Sequence, residues 1–149
     1  MATIVDTWVE ECRNGTNPRL ITRLKSGWAV MGEVQVVPGY CLLLPDPVPA
    51  HLNEMREPDQ IQFLTDMAHL GQALLQATDA LRINYEMLGN QQPALHAHLF
   101  PRYDAEPEDM GVKPVWFYDW DNAPRWSPEV FGHLQMALRE ALSIPAEKS

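Results

Sequence analysis

The sequence predicts an α+β fold, an antiparallel sheet of about five strands with one long helix packed on it and a C-terminal helix. Two observations carry that expectation. Short apolar, strand-like runs lie before and after a single long helical segment, instead of alternating with helices as a parallel sheet requires. The 13 prolines punctuate the remainder into short elements.

Taken in order, Val5 to Arg13 reads as a short helix stopped by Asn14-Gly15, a common C-terminal signal. Arg19 to Leu24 and Trp28 to Met31 read as two strands around the turn Lys25-Ser26-Gly27. Val36-Val37-Pro38-Gly39 is a turn, and Tyr40 to Leu44 an apolar strand that Pro45 to Pro49 ends in a loop. The long helix spans Pro58 to Thr78. Pro58 suits a first-turn position, and Asp59 lies where the helix dipole favours an anion. Ile61, Leu64, Met67, Ala68, Gly71, Leu74 and Leu75 recur at helical spacing and form the stripe expected to pack on the sheet. Leu81 to Leu88 and Leu95 to Pro101 read as strands joined by Gly89-Asn90-Gln91-Gln92, and Val130 to Leu142 as an amphipathic helix.

Composition narrows the function classes. The chain has 149 residues, 46% hydrophobic and 21% charged, which suits one domain over residues 1–149 with a substantial core. Twenty acidic against 11 basic residues give a formal charge of −9. A nucleic-acid polymer is bound by neutralising many phosphates with Lys and Arg, so no such partner is expected. No basic segment precedes an apolar stretch at the N-terminus, and no apolar run approaches the roughly 20 residues that span a bilayer. Cys12 and Cys41 are too few and too separated for a disulfide framework. A cytoplasmic protein without a membrane partner is the expectation.

The chemistry concentrates in Pro93-Ala94-Leu95-His96-Ala97-His98-Leu99-Phe100-Pro101-Arg102-Tyr103. Residues i and i+2 of a strand share a face, which puts the two imidazoles of His96 and His98 over one site, roughly 6–7 Å apart. So placed, they can grip a phosphate, share a metal with a third ligand such as His51 or Glu86, or divide labour as nucleophile and hydrogen-bond partner. The bland alternative is a pair of structural histidines satisfied by backbone carbonyls. Arg102, at the strand exit, either meets a phosphate or forms an ion pair.

These residues resemble the histidine triad superfamily of nucleotide hydrolases and transferases, whose signature is His-φ-His-φ-His-φ-φ with φ apolar. The matching positions are Ala94 to Phe100, and the Pro101-Arg102 ending is similar to that of the dinucleoside polyphosphate hydrolase-like branch. Val37-Pro38-Gly39-Tyr40-Cys41-Leu42-Leu43-Leu44-Pro45 resembles the family's second marker, a Pro-Gly turn leading into an apolar strand. The resemblance implies that His96 attacks the α-phosphorus of a nucleotide, that water then cleaves the nucleotidyl-histidine, and that no metal or other cofactor is needed. It implies His98 as a donor to the phosphate oxygens, helped by the turn carrying Asn90 and Gln91 and by Arg102. Trp28, Val30 and Leu42 fall where the family builds its base pocket, and they are equally core residues of a small sheet. A small-molecule purine nucleotide, either a dinucleoside polyphosphate or a nucleoside phosphoramidate, is the implied partner, with a homodimer as the implied assembly.

The chain departs from the pattern at named positions. Ala94 replaces the first histidine of the triad, and Tyr40 stands where many members have histidine after the Pro-Gly turn. Gly32 occupies the usual place of a ribose-binding Asp or Asn, with Glu33 adjacent, and Gln91 stands where Ser or Thr is common. These changes leave a second reading open, a nucleotide-binding protein that has lost catalysis. Finally, Val115 to Trp126 gathers three of the five tryptophans outside regular structure, as a core cap, a subunit contact or a site wall.

Overall fold

Each strand of the chain is short, so burial of apolar surface depends on pairing them into one sheet and covering both faces. A computed structural model describes residues 2–144 and shows this arrangement. The strands β1 (Leu20–Arg23), β2 (Gly27–Met31), β3 (Cys41–Pro45), β4 (Arg82–Glu86) and β5 (Ala97–Arg102) form a five-stranded sheet in the order β1-β2-β3-β5-β4. Every neighbouring pair is antiparallel. The helices are α1 (Ile4–Asn14), α2 (Glu57–Ala77) and α3 (Pro128–Ser143), with 3-10 turns at Leu52–Glu54 and Val115–Phe117. The predicted α+β architecture is the one observed.

Strand alternation sorts the core into two layers. On one face Ala29, Met31, Cys41, Leu43, Ala97 and Leu99 meet Phe63, Leu70 and Leu74 of α2, with Phe131 and Leu138 of α3. On the other face Val30, Leu42, Leu44 and Phe100 meet Val5, Val9 and Cys12 of α1, together with Tyr40 and Val115. All five residues of β3 are buried, which accounts for its uninterrupted apolar sequence.

Local signals set the helix ends. Thr3 and Asp6 form a reciprocal capping box at the start of α1, and Gly15 ends it with φ of 76°, a left-handed conformation that favours glycine. Gln92 Oε1 accepts a hydrogen bond from Ile4 N at 3.0 Å, tying the start of α1 to the turn before β5. In α2 a proline occupies the first turn, as the sequence predicts.

The buried face of α2 differs from the predicted stripe. Gly71 and Leu74 are buried as expected, but Ile61 is 56% exposed, and Leu75 and Ala68 are also exposed. Phe63, Asp66, Leu70 and Ala73 are buried instead. The physical reason is a second partner: α2 packs on α3 as well as on the sheet, which rotates and widens the covered arc. One buried member is a carboxylate. Asp66 Oδ2 accepts from Ser26 N at 2.8 Å and from Ser26 Oγ at 2.6 Å, so α2 holds the β1–β2 turn.

Among the described residues no helix is long and apolar enough to cross a membrane. Replacing Asp66 by Ala leaves the Ser26 amide and hydroxyl without their partner. The expected loss is about 1–3 kcal/mol of unfolding free energy in a urea titration, with an unchanged m-value.

Candidate functional site

The site is built on β5 and the residues just before it. Ala94, His96, His98, Phe100 and Arg102 project to the face covered by α1, opposite α2. The strand predicted from Leu95 pairs only from Ala97, so His96 stands one residue ahead of the ladder. The reason lies in its neighbours: β4 ends at Glu86, opposite His98, and the β3 pairing ends at Leu43, opposite Ala97. Leu95 N instead donates to the Pro49 carbonyl at 2.8 Å, and Ala94 N to the Gln92 carbonyl at 2.7 Å.

His96 and His98 are brought together, with ring centroids 4.7 Å apart and ring planes 74° apart. The imidazoles lean toward each other more than the strand rise alone predicts. His96 Nδ1 lies 2.7 Å from the Ala94 carbonyl oxygen, which can only accept. That assigns the proton to Nδ1 and leaves the Nε2 lone pair of His96 free. His98 Nδ1 lies 2.6 Å from the Tyr40 hydroxyl. Burial, and secondarily the neighbouring His96, push the His98 pKa down to about 3.

Both residues are about nine-tenths buried, at 8% and 9% exposure. Asn17 Nδ2 is the one fully buried side-chain nitrogen or oxygen without a partner among the described residues. The two Nε2 atoms therefore keep contact with solvent although no protein group bonds to them.

Tyr40 owes its place to a glycine. A Cβ at Gly32 would lie 2.2 Å from the Tyr40 ring, so the departures at positions 32 and 40 form one packing unit. Gln35, a buried residue that sequence reasoning passed over, staples this loop. Its Nε2 donates to the Gly32 carbonyl at 2.7 Å and the Tyr40 carbonyl at 2.9 Å, and its Oε1 accepts from Gly39 N at 2.9 Å. The available signal was weak: a polar residue between apolar neighbours just before a Pro-Gly turn. Glu33, adjacent to Gly32, points elsewhere and pairs with Arg125 at 3.2 Å.

The other predicted site residues are distributed unevenly. Val30, Leu42, His98 and Glu86 fall in one row across the sheet through the pairings Val30↔Leu42, Leu42↔His98 and Glu86↔His98. Val30 and Leu42 are 0% and 2% exposed, because α1 covers that part of the row. Trp28 sits further along β2, its Nε1 donating to Asp46 at 3.0 Å and its ring beneath the Arg23 guanidinium. Arg102 shares the histidine face but is buried and engaged, bonding Glu106 at 3.0 Å and Asn84 Oδ1 at 2.8 Å. Asn90 and Gln91 lie exposed on the turn before β5.

The tryptophan-rich segment divides its work. Trp116 and Trp120 stack on each other at 4.9 Å, and Trp116 lies edgewise to His98 at 5.3 Å. Trp116 Nε1 also donates to Glu86, and the segment thereby walls the histidines on the β4 side. Trp126 packs on the opposite layer with its Nε1 bonded to Gln135 at 3.0 Å.

Metal binding by this pair would need a third ligand. His51 is exposed at the Leu52–Glu54 turn, and among the described residues no three His, Cys, Asp or Glu side chains gather as a metal site.

No protein-family model and no curated protein matches the chain. Solved structures do. A histidine triad protein from Sinorhizobium meliloti 1021 superposes with a TM-score of 0.71 at 23% identity, covering 87% of this chain and 93% of that one. One from Bradyrhizobium japonicum gives 0.73 at 22% identity, with the same two coverages. A hypothetical histidine triad nucleotide-binding protein from Sulfolobus tokodaii strain 7 gives 0.71 at 16% identity, covering 92% and 91%.

Two outcomes are expected from the site's packing and electrostatics. Gly32→Ala drives a methyl group into the Tyr40 ring and should cost about 1–3 kcal/mol, most of it removed in a Tyr40→Ala background, as a double-mutant cycle would read. The His98 pKa of about 3 lies below the ordinary 6.5, so the unfolded chain binds a proton there that the folded chain refuses. Its contribution to stability is complete above 6.5 and is lost progressively as pH falls toward 3. A His98 ring resonance that titrates near its ordinary value would refute this. At identities below a quarter, the superpositions establish architecture, and the chain has the histidine triad fold.

Proposed function

We propose that the chain hydrolyses or transfers a nucleotide at its α-phosphate through a nucleotidyl-histidine intermediate on His96. The supporting observation is the His96 hydrogen bond: with Nδ1–H held by the Ala94 carbonyl at 2.7 Å, Nε2 presents its lone pair beside His98. A neutral imidazole is a competent nucleophile near neutral pH, and dividing the displacement into two steps lowers each barrier. In the first step the Nε2 electron pair forms an N–P bond, and the bond from phosphorus to the leaving group breaks with its electrons. In the second, water attacks phosphorus, the N–P electrons return to Nε2, and the water proton goes to solvent. His98 donates to a non-bridging oxygen throughout, stabilising charge where it develops.

The substrate classes proposed are dinucleoside polyphosphates and nucleoside phosphoramidates. Sharing its fold with a protein described as nucleotide-binding supports the reading. Asn90 and Gln91 are proposed to supply polar contacts from the adjoining turn. A base-pocket role for Val30 and Leu42 requires α1 to lift from the sheet, and Trp28 lies at the edge of the same face. Arg102 acts on phosphate only if it releases Glu106.

We propose further that the chain is one domain and works as a cytoplasmic homodimer. Support for the dimer comes from β4, an edge strand with Leu81, Tyr85 and Leu88 exposed along and beside it. Free, buried Cys12 and Cys41 suit a reducing compartment. Ala94 favours the second reading, nucleotide binding without turnover. It is 3% exposed within the α1-side core, so that layer has closed over the position the first histidine of the triad would take.

The deciding experiment is chromatography of adenine and guanine dinucleoside polyphosphates and phosphoramidates incubated with the protein and a strong chelator. Wild type should release nucleoside monophosphate, and His96→Ala should lose turnover by at least about a thousandfold while still binding nucleotide. Binding without turnover in the wild type selects the second reading.

A further inference from the structure

We propose that Tyr40, given room by Gly32, is a positioning residue that locks His98 as an Nε2–H donor and restricts the site to leaving groups that depart unprotonated. This inference rests on the nucleotidyl-transfer reading and narrows its substrate class. Tyr40 is 5% exposed, stacked 4.4 Å from Phe100 and edgewise to Trp120. Burial pushes its phenol well above the ordinary value of 10, so the oxygen keeps its proton. The partner within reach of that proton is His98 Nδ1, at 2.6 Å. A ring nitrogen that accepts cannot carry the ring's proton, which places it on Nε2. Flipping the tautomer would make Nδ1–H the donor to the phenol oxygen and turn the phenol's own proton away from its acceptor in a buried site.

The same geometry counts the acids available to a leaving group. The Nδ1 proton of His96 is held by the Ala94 carbonyl. Position 94 carries no imidazole. Glu86, facing His98 from β4, accepts from Trp116 Nε1. Val5 and Val9 of α1 share the apolar layer with Ala94 and Phe100, and Trp116 lies edgewise to His98. The turn before β5 carries the amides Asn90, Gln91 and Gln92, which donate hydrogen bonds but are not acids. His98 itself gives up Nε2–H only by taking the proton of a buried phenol, which would leave a tyrosinate without a counter-ion. Among the described residues the site therefore has a hydrogen-bond donor and no general acid.

That distinction sorts substrates. When His96 Nε2 forms its bond to phosphorus, the bond to the leaving group breaks and the departing atom keeps the electron pair. A phosphate oxygen or an acidic phenolate is stable in that state. An amine nitrogen is not, and it departs only after gaining a proton. Phosphoanhydrides and activated aryl esters should be turned over, and phosphoramidates should lag by the value of the missing acid, about 100-fold or more.

The test uses the full chain and adenosine 5′-phosphate esters of phenols of graded acidity, with adenosine 5′-phosphoramidate alongside. Wild type should lose kcat steadily as the phenol becomes less acidic, with the phosphoramidate at least about 100-fold below the 4-nitrophenyl ester. Nitrogen-15 NMR should show His98 as the Nε2–H tautomer in wild type and as a mixture in Tyr40→Phe. That variant should lose about 10–100-fold in kcat/KM across the ester series. Equal rates for phosphoramidate and nitrophenyl ester, or an Nδ1–H tautomer in wild type, overturn the inference, and both need only the wild-type protein. Failure of every ester, or turnover by His96→Ala, would instead refute nucleotidyl transfer itself, and the tautomer measurement would still decide whether Tyr40 governs His98.

Discussion

A strand hydrogen-bonded along both edges can face two unlike environments, and β5 uses that freedom more than any other element of this fold. Paired with β3 on one side and β4 on the other, it turns Ala97 and Leu99 toward α2 and His98, Phe100 and Arg102 toward α1. The apolar layer under α2 fixes the register, since a one-residue slip would bury the imidazoles beneath a helix with no partners for them. Packing on one face therefore orients the polar groups on the other.

The orientation of each ring comes from its own hydrogen bond. His96 is set by the backbone two residues earlier, a contact within one short segment. His98 is set by Tyr40, 58 residues away, and depends on the whole loop from Gly32 to Gly39. Gln35 gathers that loop through three bonds to its backbone, and Gly39, with φ of 94°, turns it into β3. The departures from the triad pattern at positions 32 and 40 thus form a single packing unit, in which the Tyr40 ring fills the space that a side chain at position 32 would need.

Closure of the site has two sources. The Trp116–Trp120 stack walls it on the β4 side, and α1 seals the sheet face that carries Val30 and Leu42. Arg102, which could have brought charge to a ligand, organises the chain that follows it through Glu106 and the Met110 carbonyl. In a chain of net charge −9, Arg102 on the histidine face is thus paired with Glu106.

Much of this was legible in the sequence because it rests on local rules. Helix caps, Pro-Gly turns and two-residue alternation identified the strands, the long helix and the shared face of His96 and His98, each to within a few residues. What escaped depended on distant partners. The buried arc of α2 turned on α3, which no window of α2 contains. The ladder starts after His96 because the pairings with β3 and β4 end where they do. The seal over Val30 and Leu42, the use of Arg102, the staple by Gln35 and the tautomer of His98 all arise from contacts between segments far apart in the chain. Sequence by itself determined which residues could form strands and which imidazoles share a face, because backbone geometry repeats at short range. Only the tertiary structure decided what those imidazoles touch, because a hydrogen-bond partner is chosen by packing.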